Sequence, residues 1–216
     1  MRRSLELIAA TGLLGGAYLR WLRPWELRWG ATDAEVALRA PGDELVEDPN
    51  LVATRAVTVD APPNAVWPWL LQIGTGRAGW YSYDRLDNKG RPSAREIISA
   101  YQPMEVGDVV AMSESKDGEP YGPSVLALDP PRSMLWGDTE EPHRFTWLWL
   151  LGQHGDRQTR LISRVRCRLS WRDPLFALLM EFADPIMMRK AMLNIAERAE
   201  ATRVRGEGRA RAAGAR

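Results

Sequence analysis

The sequence predicts an α+β fold: a curved antiparallel sheet closed by a long C-terminal helix, with a helical extension at the N-terminus. Two observations predict this architecture. Several short segments alternate apolar and polar residues and are rich in β-branched residues, a pattern typical of strands. The last long segment, residues 174–204, has helical periodicity and follows Asp173, a residue type that caps helices.

The predicted elements are separated by turn residues. A strand at residues 54–59 precedes a helix at residues 64–73, which Pro68 must bend because proline lacks a backbone N–H. Residues 79–88 are expected to form one or two helical turns. The remaining strands are predicted at residues 106–112, 124–128, 133–136, 145–151 and 160–170.

The closing helix is either one kinked helix or two consecutive helices, because Asp184 followed by Pro185 forms a second possible start. Four apolar residues at approximately helical spacing predict the stripe that packs across the sheet. They are Leu179, Phe182, Ile186 and Leu193.

The chain length and the turn pattern predict one compact domain with extensions. We expect the domain at residues 54–204, after an irregular lead-in at residues 29–53. The lead-in is predicted to contain a short helix near residues 33–38, which Thr32 or Asp33 could cap. A disordered tail is expected at residues 205–216, where Arg, Ala and Gly show no periodicity.

The N-terminal residues 1–28 are expected to form a hydrophobic helix, since an uncharged run at residues 7–19 lies between arginines. Three interpretations stay open: an amphipathic or buried helix, a membrane anchor, and a cleaved signal. The sequence therefore allows membrane association through residues 5–22, and a location that is cytoplasmic or membrane-associated.

The composition argues against several classes of partner and chemistry. A formal net charge of +1 gives no reason to expect nucleic acid. The single cysteine, Cys167, excludes an internal disulfide, and the two histidines, His143 and His154, lack metal-ligand spacing. We therefore expect no metal site and no cofactor. No strong catalytic motif is present, so the sequence leaves open whether the protein is an enzyme.

Five segments together resemble the SRPBCC superfamily, the START-like helix-grip group that includes polyketide cyclases, dehydratases and lipid-transfer proteins. They are RWGATDAEV (28–36), PGDELV (41–46), APPNAVWPWLLQIG (61–74), GWYSYDRLDN (79–88) and MRKAMLNIAERAE (188–200). The similarity is specific to an uncharacterised bacterial branch. It implies a helix-grip fold around a hydrophobic cavity, but no particular reaction, because fold does not fix function.

Large rings are the candidates for the wall of such a cavity. Trp147 and Trp149 share one strand face, and Trp67 lies on the first helix. Such a stripe forms either core or a surface that a ligand contacts. The methionines of the closing helix could add an adaptable lining.

Tyr81, Tyr83 and Asp84 are the candidates for polar chemistry. One interpretation places them at the cavity mouth, with the phenols donating hydrogen bonds and Asp84 acting as a base. The other makes the rings core plugs and Asp84 a helix cap. We predict that Tyr81 and Tyr83 line one continuous cavity with Trp147 and Trp149.

Arg164 and Arg166 lie on the charged face of an alternating strand, which is opposite to its apolar face. The simplest assignment leaves both arginines on a solvated outer surface. If they instead face inward, they could bind the carboxylate or phosphate of a ligand.

Three functions follow from these patterns. The first is binding or carriage of a hydrophobic small molecule, lipid-like or polycyclic, in an internal cavity. The alternative is a cyclase or dehydratase that uses Tyr81, Tyr83 and Asp84 for acid–base chemistry. The third is a structural, membrane-tethered module whose cavity is filled by its own side chains. The sequence does not indicate an oligomeric state.

Overall fold

The N-terminal region of the computed structural model consists of short helices. The structure describes residue 13 and residues 15–115, 117–140, 144–170 and 173–214, with side chains to residue 206. A π-helical turn at Tyr18–Leu22 runs directly into helix α1, Arg23–Leu27. Within the described residues, no helix is both long and apolar enough to cross a membrane. Most of the uncharged run at residues 7–19 lies outside the described part of the chain.

The lead-in that follows α1 has the short helix predicted near residues 33–38, with Thr32 as its cap, and one further turn. It contains helix α2, Asp33–Ala37, and a 3₁₀ turn at Asp43–Leu45. Its Ala40 packs with Leu135 and Leu148 in a small apolar cluster on one face of the sheet. The lead-in therefore covers that face, which we call the outer face.

The main sheet has five strands, all antiparallel to their neighbours. They are β1 (Leu51–Val59), β4 (Ser124–Asp129), β5 (Ser133–Asp138), β6 (Phe145–His154) and β7 (Gln158–Cys167). Their order across the sheet is β1-β7-β6-β5-β4. The β6–β7 hairpin pairs Trp147 with Val165 and Trp149 with Ser163.

The strand predicted at residues 106–112 is wrong. In that segment only Val109 forms a bridge, to Ser124. Gly107 has a φ of +99°, which turns the chain and prevents a regular ladder. A separate two-stranded ribbon follows, made of β2 (Ser113–Glu114) and β3 (Pro120–Tyr121).

Two short α-helices and a 3₁₀ turn at Ser99–Tyr101 lie between β1 and β2. Helix α3, Pro63–Leu71, contains Pro68 as predicted and buries four side chains. Helix α4, Asp84–Asp87, is a single turn.

The closing helix is one continuous run rather than two helices. Helix α5, Pro174–Leu178, is capped by Asp173, whose carboxylate accepts a hydrogen bond from the Phe176 N–H at 2.9 Å. It continues through a π-helical turn, Leu179–Ala183, into helix α6, Asp184–Gly214. Asp184 has helical dihedrals and does not start a new helix.

The tail predicted to be disordered from residue 205 instead continues α6 to Gly214. Alanine, arginine and glutamate all favour helix, and this local propensity outweighs the missing periodicity.

The core lies between the inner face of the sheet and α3 with α6. From α6 the buried stripe consists of Met188, Ala191, Met192, Ile195, Ala196 and Ala199. The predicted stripe of Leu179, Phe182, Ile186 and Leu193 is wrong, since all four are exposed. A π-helical turn holds one more residue than an α-turn, so it shifts the phase of the apolar face.

Candidate functional site

A cavity of about 470 Å³ lies between the closing helix and the inner face of the sheet. We call it the grip cavity. The closing helix contributes Leu179, Met180, Ala183, Asp184, Met187 and Met188, together with Ala191. The opposite wall is formed by Trp80, Ser82, Leu86, Asp87, Met112 and Trp147. Leu86, Met112 and Leu179 are also exposed to solvent, so the cavity opens to the surface beside them.

Trp147 forms the floor of the grip cavity on the sheet side. It alternates inward along β6, and its indole N–H donates to the Ser163 hydroxyl at 2.9 Å. The Trp80 ring stacks on it, with centroids 5.7 Å apart and planes at 18°. The two rings give the cavity a flat, rigid apolar wall.

The backbone at Tyr81 determines which side chains reach the cavity. Tyr81 has a φ of +57°, in the left-handed region that non-glycine residues rarely occupy. Its N–H donates to the Ser93 hydroxyl at 3.1 Å, and its carbonyl accepts from the Asn194 amide at 2.7 Å. Because these bonds hold the turn, Trp80 and Ser82 line the cavity while Tyr81 does not.

Two of the polar residues in the cavity wall have buried oxygens that lack a partner among the described residues. They are Ser82 Oγ and Asp87 Oδ1. The other oxygen of Asp87 accepts from the Tyr83 N–H at 3.1 Å. Burial raises the pKa of Asp87, although the Tyr83 N–H acts in the opposite direction. The Ser82 hydroxyl also lowers this pKa, but no hydrogen bond of ordinary geometry joins the two side chains.

The third polar lining residue, Asp184, forms a buried ion pair that the sequence analysis missed. Arg55 Nη1 lies 2.7 Å from Asp184 Oδ2, and Arg55 Nε donates to the Glu26 carbonyl at 2.8 Å. The Arg55 side chain is 1% exposed. Arg55 has the same parity on β1 as the buried Leu51 and Val59, so its position on the inner face was readable from the alternation.

Arg164 and Arg166 point away from the grip cavity. The outer face on which they lie was predicted correctly, but the lead-in covers it. Arg164 is 5% exposed, because its guanidinium lies under this segment. It donates to Asp43 Oδ2, to Thr54 Oγ1 and to the carbonyls of Leu38, Glu35 and Val36. Both predictions for Arg164 are therefore wrong. It is not solvated, and it does not face inward to bind an anion.

The Arg166 side chain is 20% exposed and interacts with the same segment. It donates to the Val46 carbonyl at 3.1 Å and lies 3.7 Å from Asp43. Both arginines border a hollow of about 650 Å³ under the lead-in, but they already face the Asp43 carboxylate there.

Tyr81, Tyr83 and Asp84 do not converge on the cavity. The Tyr81 hydroxyl accepts from the Gln72 amide at 2.9 Å, and burial raises the pKa of Tyr81 to about 12. Tyr83 is on the surface with Lys190 Nζ 3.8 Å from its ring centre. Asp84 accepts a hydrogen bond from the Ser93 hydroxyl.

The other two predicted ring residues are core. Trp149 stacks on Trp147 at 5.6 Å, one layer deeper, and is 1% exposed. Trp67 is buried in the same core. The prediction that Tyr81, Tyr83, Trp147 and Trp149 line one continuous cavity is therefore wrong, since only Trp147 reaches it. Alternation gives the inner face, but it does not give the depth of a residue within the core.

Cys167 is buried, and burial raises the pKa of its thiol to about 12. His154 lies at the end of β6, and His143 lies outside the described residues. A groove of about 400 Å³ between α1 and α6 holds two cations over rings, Arg189 over Trp29 and Lys190 over Tyr83.

The packing of one sheet face around α6 decides the fold. The chain has a helix-grip α+β fold. No family model matches the sequence, and no curated protein matches it.

Several solved structures are similar to this helix-grip chain, all at low identity. Protein MLL2253 from Mesorhizobium loti is 13% identical, with 68% of this chain and 98% of that chain covered and a TM-score of 0.40. The Polyketide_cyc-like protein Cgl2372 from Corynebacterium glutamicum is 16% identical, with 70% and 88% covered and a TM-score of 0.33. The di-domain ARO/CYC StfQ from the steffimycin biosynthetic pathway is 13% identical, with a TM-score of 0.42. The match covers 82% of this chain and spans 57% of the length of StfQ. These likenesses concern the fold alone.

Proposed function

We propose that the protein binds a hydrophobic small molecule, lipid-like or polycyclic, in the grip cavity. The observation that carries this proposal is the space of about 470 Å³ between the closing helix and the two stacked indoles. Its size falls within the range of about 300–1,000 Å³ that is usual for small-molecule sites.

The composition of the walls supports an apolar ligand of variable shape. Three methionines of the closing helix, Met180, Met187 and Met188, face the rigid indole pair, and Met112 lines the cavity on the side of the indoles. Methionine is unbranched and polarizable, so it adapts to irregular apolar surfaces. The cavity thus combines one fixed wall with one adaptable wall.

We prefer binding to the alternative of a cyclase or dehydratase. That alternative needs Tyr81, Tyr83 and Asp84 close to a bound substrate, and these three residues do not line the grip cavity. A buried phenol whose pKa is about 12 is also a poor proton donor at neutral pH.

The experiment fills the cavity and measures the binding of a neutral apolar probe, N-phenyl-1-naphthylamine. Ala183 lines the cavity, so Ala183→Trp should occupy its space and weaken probe binding by about tenfold or more, equivalent to ~1.4 kcal/mol. Ala201→Trp is the matched control, because Ala201 is exposed on the same helix. Equal probe affinity in the Ala183→Trp protein and its parent would refute binding in this cavity.

We further propose that residues 5–22 hold the protein against a membrane surface. Leu19, Trp21 and Leu22 are exposed on the first described helical turns, and Arg20 lies among them. The Tyr18 ring lies 5.4 Å from the Phe182 ring, which places this segment beside the exposed apolar residues of the closing helix. An apolar helix face with basic residues is typical of interfacial helices.

A further inference from the structure

We propose that the grip cavity selects ligands whose head group donates a hydrogen bond, an alcohol or an amine, and rejects carboxylates. This inference rests on the proposed function and adds the class of ligand. It follows from the charges in the wall and from the two buried oxygens that lack partners.

The polar wall residues carry no positive charge. Among the described residues that line the grip cavity, the polar ones are Ser82, Asp87 and Asp184. A ligand carboxylate would lose its water shell beside the Asp87 carboxylate and beside Asp184, whose charge Arg55 already balances, and no lining residue would supply a cation. A donor head group meets acceptor oxygens instead.

The guanidinium nearest to this wall is that of Arg55, whose Nη1 pairs with Asp184 and whose buried Nη2 has no partner among the described residues. Arg55 does not line the cavity, whereas Asp184 does, so the group that faces the ligand is the carboxylate. Lys190 contacts the Tyr83 ring, and it borders the groove beside α1 rather than the grip cavity. Neither cation is placed to neutralise a ligand carboxylate in the cavity.

Ser82 Oγ and Asp87 Oδ1 supply the hydrogen-bonding capacity. Ser82 is 6% exposed and its hydroxyl lacks a hydrogen-bond partner among the described residues, as does Asp87 Oδ1. An unsatisfied buried polar group carries a free-energy cost. A ligand hydroxyl or amine against this part of the wall can donate a hydrogen bond to Asp87, and it can donate to or accept from the Ser82 hydroxyl. These bonds remove the cost of the unsatisfied polar groups.

The test compares head groups on one chain length. The competitors of bound N-phenyl-1-naphthylamine are three saturated twelve-carbon compounds, 1-dodecanol, dodecylamine and dodecanoate, at mildly alkaline pH. The alcohol is kept below its aqueous solubility, and the amine and dodecanoate below their micellar concentrations. We expect the alcohol and the amine to displace the probe at about tenfold lower concentration than dodecanoate. Equal displacement by the alcohol and by dodecanoate would overturn the inference.

Two variants test whether the selectivity depends on the lining residues Asp87 and Ser82. Asp87→Asn keeps an acceptor for the Tyr83 N–H but removes the charge, so dodecanoate should gain about tenfold relative to 1-dodecanol. Ser82→Ala should weaken 1-dodecanol without strengthening dodecanoate. Asp48→Asn is the control, because the Asp48 side chain is 87% exposed on the lead-in.

Selectivity that is unchanged in both Asp87→Asn and Ser82→Ala would also overturn the inference. Those results are separate from the proposed function. If Ala183→Trp weakens probe binding but the three head groups compete equally well, the proposal of binding in the cavity stands and the proposed selectivity is rejected. Absence of probe binding in the parent protein would reject both.

Discussion

Arg55 and Arg164 are both almost fully buried, but on opposite faces of the sheet. Arg55 on β1 pairs with Asp184 of the closing helix, next to the grip cavity. Arg164 on β7 is held by Asp43 and by backbone carbonyls of the lead-in. The register, in which Thr54 lies opposite Arg164 and Arg55 opposite Ser163, makes this difference of faces unavoidable.

The Arg164→Ala substitution should destabilise the protein by about 3–5 kcal/mol. It removes a buried charge and leaves Asp43 and several carbonyls without their donor. Chemical denaturation gives the free energy of unfolding. Arg168→Ala is the control, because the Arg168 side chain is 55% exposed and 3.9 Å from Asp48. A loss below about 1 kcal/mol for Arg164→Ala would mean that the lead-in does not depend on this arginine.

At the scale of elements, α2 holds the lead-in on the sheet. Thr32 and Glu35 form a capping box, in which the Glu35 N–H donates to Thr32 Oγ1 and the Thr32 N–H donates to Glu35 Oε2. Glu35 also accepts from Arg160 Nε at 2.6 Å. One carboxylate thus joins the helix start to strand β7.

The Glu35 carboxylate should make stability depend on pH. Arg160 and the Thr32 N–H hold the pKa of Glu35 at about 2, below its ordinary value of 4.5. The stabilisation is therefore complete above about pH 4.5 and is lost as the pH falls through about 2. Glu35→Gln should cost about 1–2 kcal/mol at neutral pH, and the difference from the parent should shrink in that acidic window.

Thermal unfolding of the parent and of Glu35→Gln across the pH range checks this expectation. Glu47→Gln is the control, because Glu47 is exposed in the same lead-in. A difference between parent and Glu35→Gln that stays constant from neutral to strongly acidic pH would contradict the assigned role.

At the scale of the whole molecule, the sequence predicted the architecture but not the cover of the outer face. The alternation of β6 and β7 gave the hairpin and the two faces of each strand. The irregular lead-in carries no periodicity, so nothing in its pattern showed that it lies over Arg164 and Leu135.

The candidate site was predicted less well than the fold. Trp147 was found because strand alternation places it inward. Ser82 and Asp87 were missed, because the left-handed turn at Tyr81 inverts which neighbours face the cavity. Such a turn at a tyrosine has no sequence signature.

The proposed contact with a membrane is a property of the whole chain. A variant with Leu19→Gln, Trp21→Gln and Leu22→Gln should float less with vesicles of phosphatidylcholine and phosphatidylglycerol, since three exposed apolar side chains are lost. A matched variant with Val106→Gln and Tyr121→Gln changes exposed apolar residues of the loop and ribbon region and should float as the parent does. Equal flotation of all three proteins would count against the N-terminal contact. Deletion of residues 1–28 is a poorer test, because it also removes the Glu26 carbonyl that accepts from Arg55.

The indoles of Trp80, Trp147 and Trp149 form a stack in which neighbouring centroids are 5.6–5.7 Å apart, with Trp136 against its edge. Electronic transitions of rings this close couple to one another, so the native protein should show an exciton couplet from its indoles in the far ultraviolet. Only Trp80 and Trp147 of the stack border the grip cavity. A molecule that enters beside them alters the angle between the ring planes, or the polarisability of their surroundings, at one end of the stack. The protein therefore carries its own optical reporter of occupancy, and circular dichroism could follow binding without any added dye.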